Sequence, residues 1–96
     1  MIDPRTLGVL QAVAAHGSVA GAADALHLSP PAVSQQLLAL ERETGASLID
    51  RSGRQVRLTA AGRLLAAHGE HVAAQLRQAE RDLAELTGQS GGMIRR

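Results

Sequence analysis

Residues 18–45, SVAGAADALHLSPPAVSQQLLALERETG, read as two helices joined by a tight corner. Ser18 can cap the first through its hydroxyl, and Ala22, Ala23 and Leu26 make an apolar stripe at helical spacing. Ser29 caps the second, with Pro30 at the first helical position, where a missing N–H costs nothing. Val33, Leu37 and Leu40 recur at i, i+4 and i+7 and turn inward, which leaves Pro31, Ser34, Gln35 and Leu38 on the opposite side. The small Ala22 and Ala23 let the second helix cross the first closely at a steep angle, as a helix-turn-helix requires. The outer face then offers short hydroxyls and an amide, groups suited to reading base edges. On these residues alone, a plain helical hairpin with Ser29 as an ordinary cap is the competing reading.

The flanking sequence separates the two. Upstream, Asp3-Pro4 starts a helix, Leu7, Leu10, Val13 and Ala14 form its buried stripe, and His16-Gly17 ends it. Downstream of Gly45, Ala46–Ile49 and Val56–Leu58 are short strand candidates around a turn, 50–55, with Ser52-Gly53 at its tip. A basic hairpin directly after a helix-turn-helix is a wing. It carries Arg54 at the tip and Arg51 and Arg57 near the base, suited to the negative potential of a minor groove. The fold class expected is therefore mainly α: a winged helix-turn-helix of three helices and a two-stranded wing, followed by a long dimerisation helix.

That last helix is capped by Thr59 and runs from Ala60 to about Thr87, with Gly88 as its stop. Leu65, His68, Val72, Leu76, Ala79, Leu83 and Leu86 follow one another in steps of three and four, a coiled-coil-like seam. A domain this small cannot cover so long a stripe, and dimerisation is the expected outlet. The organisation read from the chain is 1–58 for DNA binding, 59–88 for the dimerisation helix, and 89–96 as the start of a linker.

Composition limits the alternatives. With no Phe, Tyr or Trp, the core must be built from Leu, Val, Ile and Ala, and with no Cys there is neither a disulfide nor a thiolate site. The net charge is only +1, but residues 51–63 hold Arg51, Arg54, Arg57 and Arg63 without an acid. A local basic patch on a nearly neutral chain points to a focused contact. His16, His27, His68 and His71 have no acidic partners at ligand spacing, and no phosphate loop, nucleophile or carboxylate pair appears, so neither metal nor enzyme is expected. The N-terminus has no signal-like apolar run and no segment is long enough to span a bilayer, which predicts a cytoplasmic protein.

The chain resembles the N-terminal winged helix-turn-helix domain and linker helix of LysR-type transcriptional regulators. The resemblance is carried by a first helix ending in HGS and then by GAADALHLSPPAVSQQLLALERETGASLIDRSGRQVRLTAAG, and it covers roughly residues 3 to 88 in order. It implies a bacterial, dimeric, sequence-specific DNA binder, with helix 30–44 in the major grooves of an inverted-repeat operator and wing 50–55 in the minor groove. Ser29, Pro31, Ser34 and Gln35 would face the major groove, Ser18 and Thr59 would take phosphates, Arg54 the minor groove, and Arg51 and Arg57 phosphates. Pro30, Gln35 and Leu38 stand where the family often has Gln, Arg and a polar or basic residue, so a contact by Leu38 would be apolar. Ser18, Ser29 and Thr59 also serve as plain caps, and Arg51 could instead pair with Asp50 or Glu43. The resemblance further implies an effector domain, and with it a small-molecule co-inducer, beyond this chain; no cofactor is expected within it. A protein-interaction module and a sequence-tolerant DNA binder are the other classes, disfavoured by the basic wing and by the near-neutral whole.

Overall fold

The computed structural model describes residues 1–53 and 55–88. Arg54 and the expected linker, 89–96, lie outside the described residues. Among the described residues, four helices and one hairpin follow in order: α1 (Pro4–His16), α2 (Val19–Leu26), α3 (Pro30–Thr44), β1 (Ile49–Asp50), β2 (Arg57–Leu58) and α4 (Ala60–Leu86).

Each boundary has a local cause. Asp3 accepts from the N–H of Arg5 at the start of α1, with Pro4 behind it. Gly17 ends that helix at φ 70°, a conformation that carries no steric penalty without a Cβ. At the other end of the motif Gly45, at φ 71°, stops α3 in the same way.

The core is a single cluster. Leu10, Ala22, Val33 and Leu40 are fully buried, with Leu7, Val9, Val13, Ala23, Leu37, Leu48 and Ile49 around them. The inward row Val33, Leu37, Leu40 and the small Ala22 and Ala23 are therefore where the period places them. One core expectation fails. Ala14 is exposed and Val9 is buried; Ala14 lines an open groove between α1 and α4 together with Gln11, Ala15, Ala66 and Glu70.

The hairpin is shorter than its sequence suggests. Ile49 pairs with Leu58 and Asp50 with Arg57, antiparallel, and Ala46–Leu48 form no strand. The N–H groups of Leu48 and Ile49 are instead taken by the Glu41 carboxylate, at 2.8 and 3.2 Å. Val56 flanks β2 and packs on the core without pairing.

The long helix has two regimes. Ala61, Gly62, Leu65, Ala66 and Gly69 lie on the domain, against α1 and β2, whereas Leu76, Leu83 and Leu86 are 64, 55 and 84% exposed. Leu65, expected to open the dimer seam, is thus drawn into the domain's own core, and its neighbour Leu64 is exposed in its stead. The reason is positional: the first turns of α4 cross α1 and must turn an apolar side chain inward there.

Candidate nucleic-acid interface

The corner between α2 and α3 sets where α3 points. His27 sits at φ 58°, its N–H donates to the carbonyl of Asp24, and the N–H of Leu28 donates to that of Ala23 at 2.9 Å. This is a Schellman closure with histidine in the place glycine usually holds. Ser29 follows at once in extended backbone and its hydroxyl accepts from the N–H of Ala32 at 3.2 Å. Two residues separate the closing of one helix from the cap of the next, so the crossing is fixed by backbone hydrogen bonds rather than by side-chain packing alone.

With Val33, Leu37 and Leu40 buried, Ser29, Pro30, Pro31, Ser34, Gln35 and Leu38 are all exposed. Pro31, Ser34, Gln35 and Leu38 share one face at helical spacing. Among the described residues, Ser34 and Gln35 have no protein partner for their polar groups. The arrangement presents unspent donors and acceptors on a rigid, doubly capped helix.

The remaining expected residues fall into two groups. Ser18 accepts from the N–H of Gly21 at 2.9 Å and Thr59 from that of Gly62 at 3.0 Å, so both act as caps. Thr59 also donates its hydroxyl proton to the carbonyl of Ser47 at 2.7 Å, which ties the start of α4 to the segment ahead of β1. Arg51 and Thr59 share one concavity with Ser47, Asp50 and Ser52. Arg57 is exposed on β2. At the turn, Asp50 accepts from both the N–H and the hydroxyl of Ser52, at 3.0 and 2.6 Å, and these bonds hold its carboxyl below the ordinary range.

Arg51 does pair with a carboxylate, but with Glu41, at 3.3 Å, rather than with Asp50 or Glu43. Glu41 is the residue that reasoning from sequence missed. It stands on α3, only 14% exposed, and binds the N–H groups of Leu48 and Ile49 as well as the Arg51 guanidinium. It thereby ties the base of the hairpin to α3. Burial alone would raise its pKa; the N–H of Leu48, the Arg51 guanidinium and the N–H of Ile49 outweigh that and hold it below its usual value of 4.5. The signal was a glutamate directly after the last residue of an inward-facing helix stripe and one turn past Leu37, with an Arg ten residues on, which no short-range pattern connects.

A pH consequence follows with a definite sign. A carboxyl whose folded pKa is lowered contributes stability that is complete above its unfolded value and disappears as pH falls through the folded one. Glu41→Gln is expected to cost about 1–2 kcal/mol at pH 7, the scale of charged hydrogen bonds, and clearly less at about pH 3, below the ordinary carboxylate value. Urea midpoints for both proteins at the two pH values would measure this; equal gaps at both would refute the assignment.

Residues 4–63 match the sequence family described as bacterial regulatory helix-turn-helix protein, lysR family. The chain belongs to this family. It is 47% identical over 94 residues to the RuBisCO operon transcriptional regulator of Allochromatium vinosum, covering 98% of this chain and 31% of that one. This LysR-family domain therefore spans about a third of the length of the relatives it matches. Among solved structures it superposes on a BenM DNA-binding domain in complex with benA site 1 DNA with a TM-score of 0.84 at 28% identity, covering 94% of this chain and 99% of that one. A CbnR DNA-binding domain–DNA complex gives 0.77 at 35% identity, covering 88 and 99%. The chain is the family's winged helix-turn-helix with its long C-terminal helix, and the proteins it resembles are transcriptional regulators rather than enzymes. Among the described residues no helix is long and apolar enough to cross a membrane, and no three metal-ligating side chains gather.

Proposed function

We propose that this domain binds double-stranded DNA sequence-specifically as a homodimer, with α3 in the major groove and wing 50–55 in the minor groove of each half of an inverted repeat. The observation that carries this reading is the outward face of α3. It is exposed, rigidly capped and set beside a basic hairpin by Glu41. Ser29, Pro30, Pro31, Ser34, Gln35 and Leu38 meet base edges, and first-turn N–H groups at Ser18 and Thr59 meet phosphates. Arg57 and the exposed edge of Arg51 steer toward phosphates. Val72, Leu76, Ala79, Leu83 and Leu86 join two copies.

In the whole regulator, a small-molecule effector acts through a separate domain, the homodimer is the basic assembly whether or not dimers associate further, and the protein works in the cytoplasm on the nucleoid. Selection from a random duplex library, followed by affinity measurements across salt, tests the core of this reading. An enriched inverted repeat is the expected result; weak, steeply salt-dependent binding without enrichment would refute sequence specificity.

Arg54 is the wing residue assigned to the minor groove. Arg54→Ala is expected to weaken binding by about 1–3 kcal/mol, most at A·T-rich flanks, where the groove is narrow. Equal loss on G·C-rich and A·T-rich flanks, measured by titration of paired duplexes, would remove the groove assignment.

A further inference from the structure

Ahead of α4, the exposed large hydrophobic side chains among the described residues are Met1 and Ile2 at the chain start, Leu28 at the helix corner and Leu38. Leu38 is 44% exposed in the middle of α3, on the same face as Pro31, Ser34 and Gln35. That face holds no Lys or Arg until Arg42, near the end of the helix. The side chains that read guanine bidentately are therefore missing from it, while an adenine-reading amide, Gln35, is flanked on both sides by apolar groups. In the major groove the apolar feature available to such groups is the C5-methyl of thymine.

We infer that Leu38 is a specificity-determining residue that, together with Pro31, selects two thymine methyl groups on either side of the base pair read by Gln35. The inference rests on the placement of α3 in the major groove. The spacing follows from the helix: at 1.5 Å per residue, Pro31 and Leu38 lie about 10 Å apart along the axis. That separation exceeds the spacing of neighbouring base pairs, so the two apolar side chains meet different base pairs on either side of Gln35. The half-site core is accordingly A·T-rich, and its recognition is driven by methyl contacts in place of guanidinium–guanine pairs.

The test uses the duplex enriched by this chain from a random library, with each thymine replaced in turn by deoxyuridine, which removes only the methyl. Wild-type protein should lose about fourfold in affinity per methyl, the scale of one buried carbon, at two separate positions of each half-site. Leu38→Ala should bind the unmodified duplex more weakly and become indifferent to deoxyuridine at one of these positions, keeping its sensitivity at the other. Leu38→Gln, of similar length but polar, should show the same selective indifference, and thermal unfolding of both variants checks that the exposed site leaves the fold intact. Deoxyuridine without effect on the wild type, or equal losses in wild type and both variants at every position, would overturn the inference while leaving specific binding in place. Failure to enrich any duplex would overturn the major-groove reading itself, and this inference with it.

Discussion

Gly62→Ala is expected to destabilise the domain by about 3 kcal/mol, the upper range for forcing a methyl into packed structure, and to lower Tm by roughly 10–20 °C. A Cβ at Gly62 would fall on the carbonyl oxygen of Leu48, with its carbon at 3.1 Å and the Leu58 Cβ at 3.2 Å. None of these atoms can step aside. Leu48 is core, its N–H is held by Glu41, and its carbonyl accepts from the N–H of Thr59 at 3.0 Å. Gly69→Ala supplies the contrast on the same helix. Its Cβ would meet the side-chain end of Gln11 at 2.8 Å, which can rotate away, and alanine adds about 1 kcal/mol of helix propensity. That variant is expected to unfold within a few degrees of the wild type. Thermal unfolding of both decides the matter: Gly62→Ala unfolding alongside Gly69→Ala would show that α4 is not held at Leu48.

The contrast between these two glycines also marks what a linear reading can see. The helix-turn-helix was legible because its determinants are local: Ser18, Ser29 and Thr59 cap within three residues, Gly17 and Gly45 stop, and Val33, Leu37 and Leu40 repeat at the helical period. The exposed face of α3 follows from that period. Glu41 and Gly62 were opaque because their partners are supplied by another element at a distance no pattern encodes. The partial burial of Leu65 within its own domain shows a related limit. Periodicity marks an apolar stripe along α4 but not the point at which α1 stops covering it. His27 shows the same limit at short range, since its left-handed conformation is imposed by the corner rather than chosen by the residue.

Leu83→Asp is expected to reduce affinity for a two-half-site duplex by about 100-fold or more, the scale set by losing a tethered second binding event. The expectation starts from the exposed row Val72, Leu76, Leu83 and Leu86, which runs past the last turns of α4 that the domain covers. Four large side chains left in water amount to several kcal/mol of apolar burial available to a second copy, at about 1.5–3 kcal/mol for each fully buried residue. A carboxylate placed within such a seam would be buried against its symmetry mate, and the cost falls on association rather than on the fold. Leu83 makes this separation clean, because at 55% exposure it lies beyond the core and its replacement should leave Tm of the monomer unchanged. Sedimentation should then show a monomer, and a duplex with a single half-site should be bound as tightly by the variant as by the wild type at concentrations below dimer formation. A Leu83→Asp protein that stays dimeric, or a monomer that binds the full duplex undiminished, would place the dimer contact elsewhere than on this face of α4. The position of the row matters as much as its strength. Because Gly62 and the Thr59 cap fix the start of α4 to Leu48 and Ser47, the direction in which the seam leaves the domain is set by the same residues that hold the wing. In a dimer joined along this row, the spacing between the two copies of α3 would therefore be set at the root of α4, where Gly62 and Thr59 meet Leu48 and Ser47.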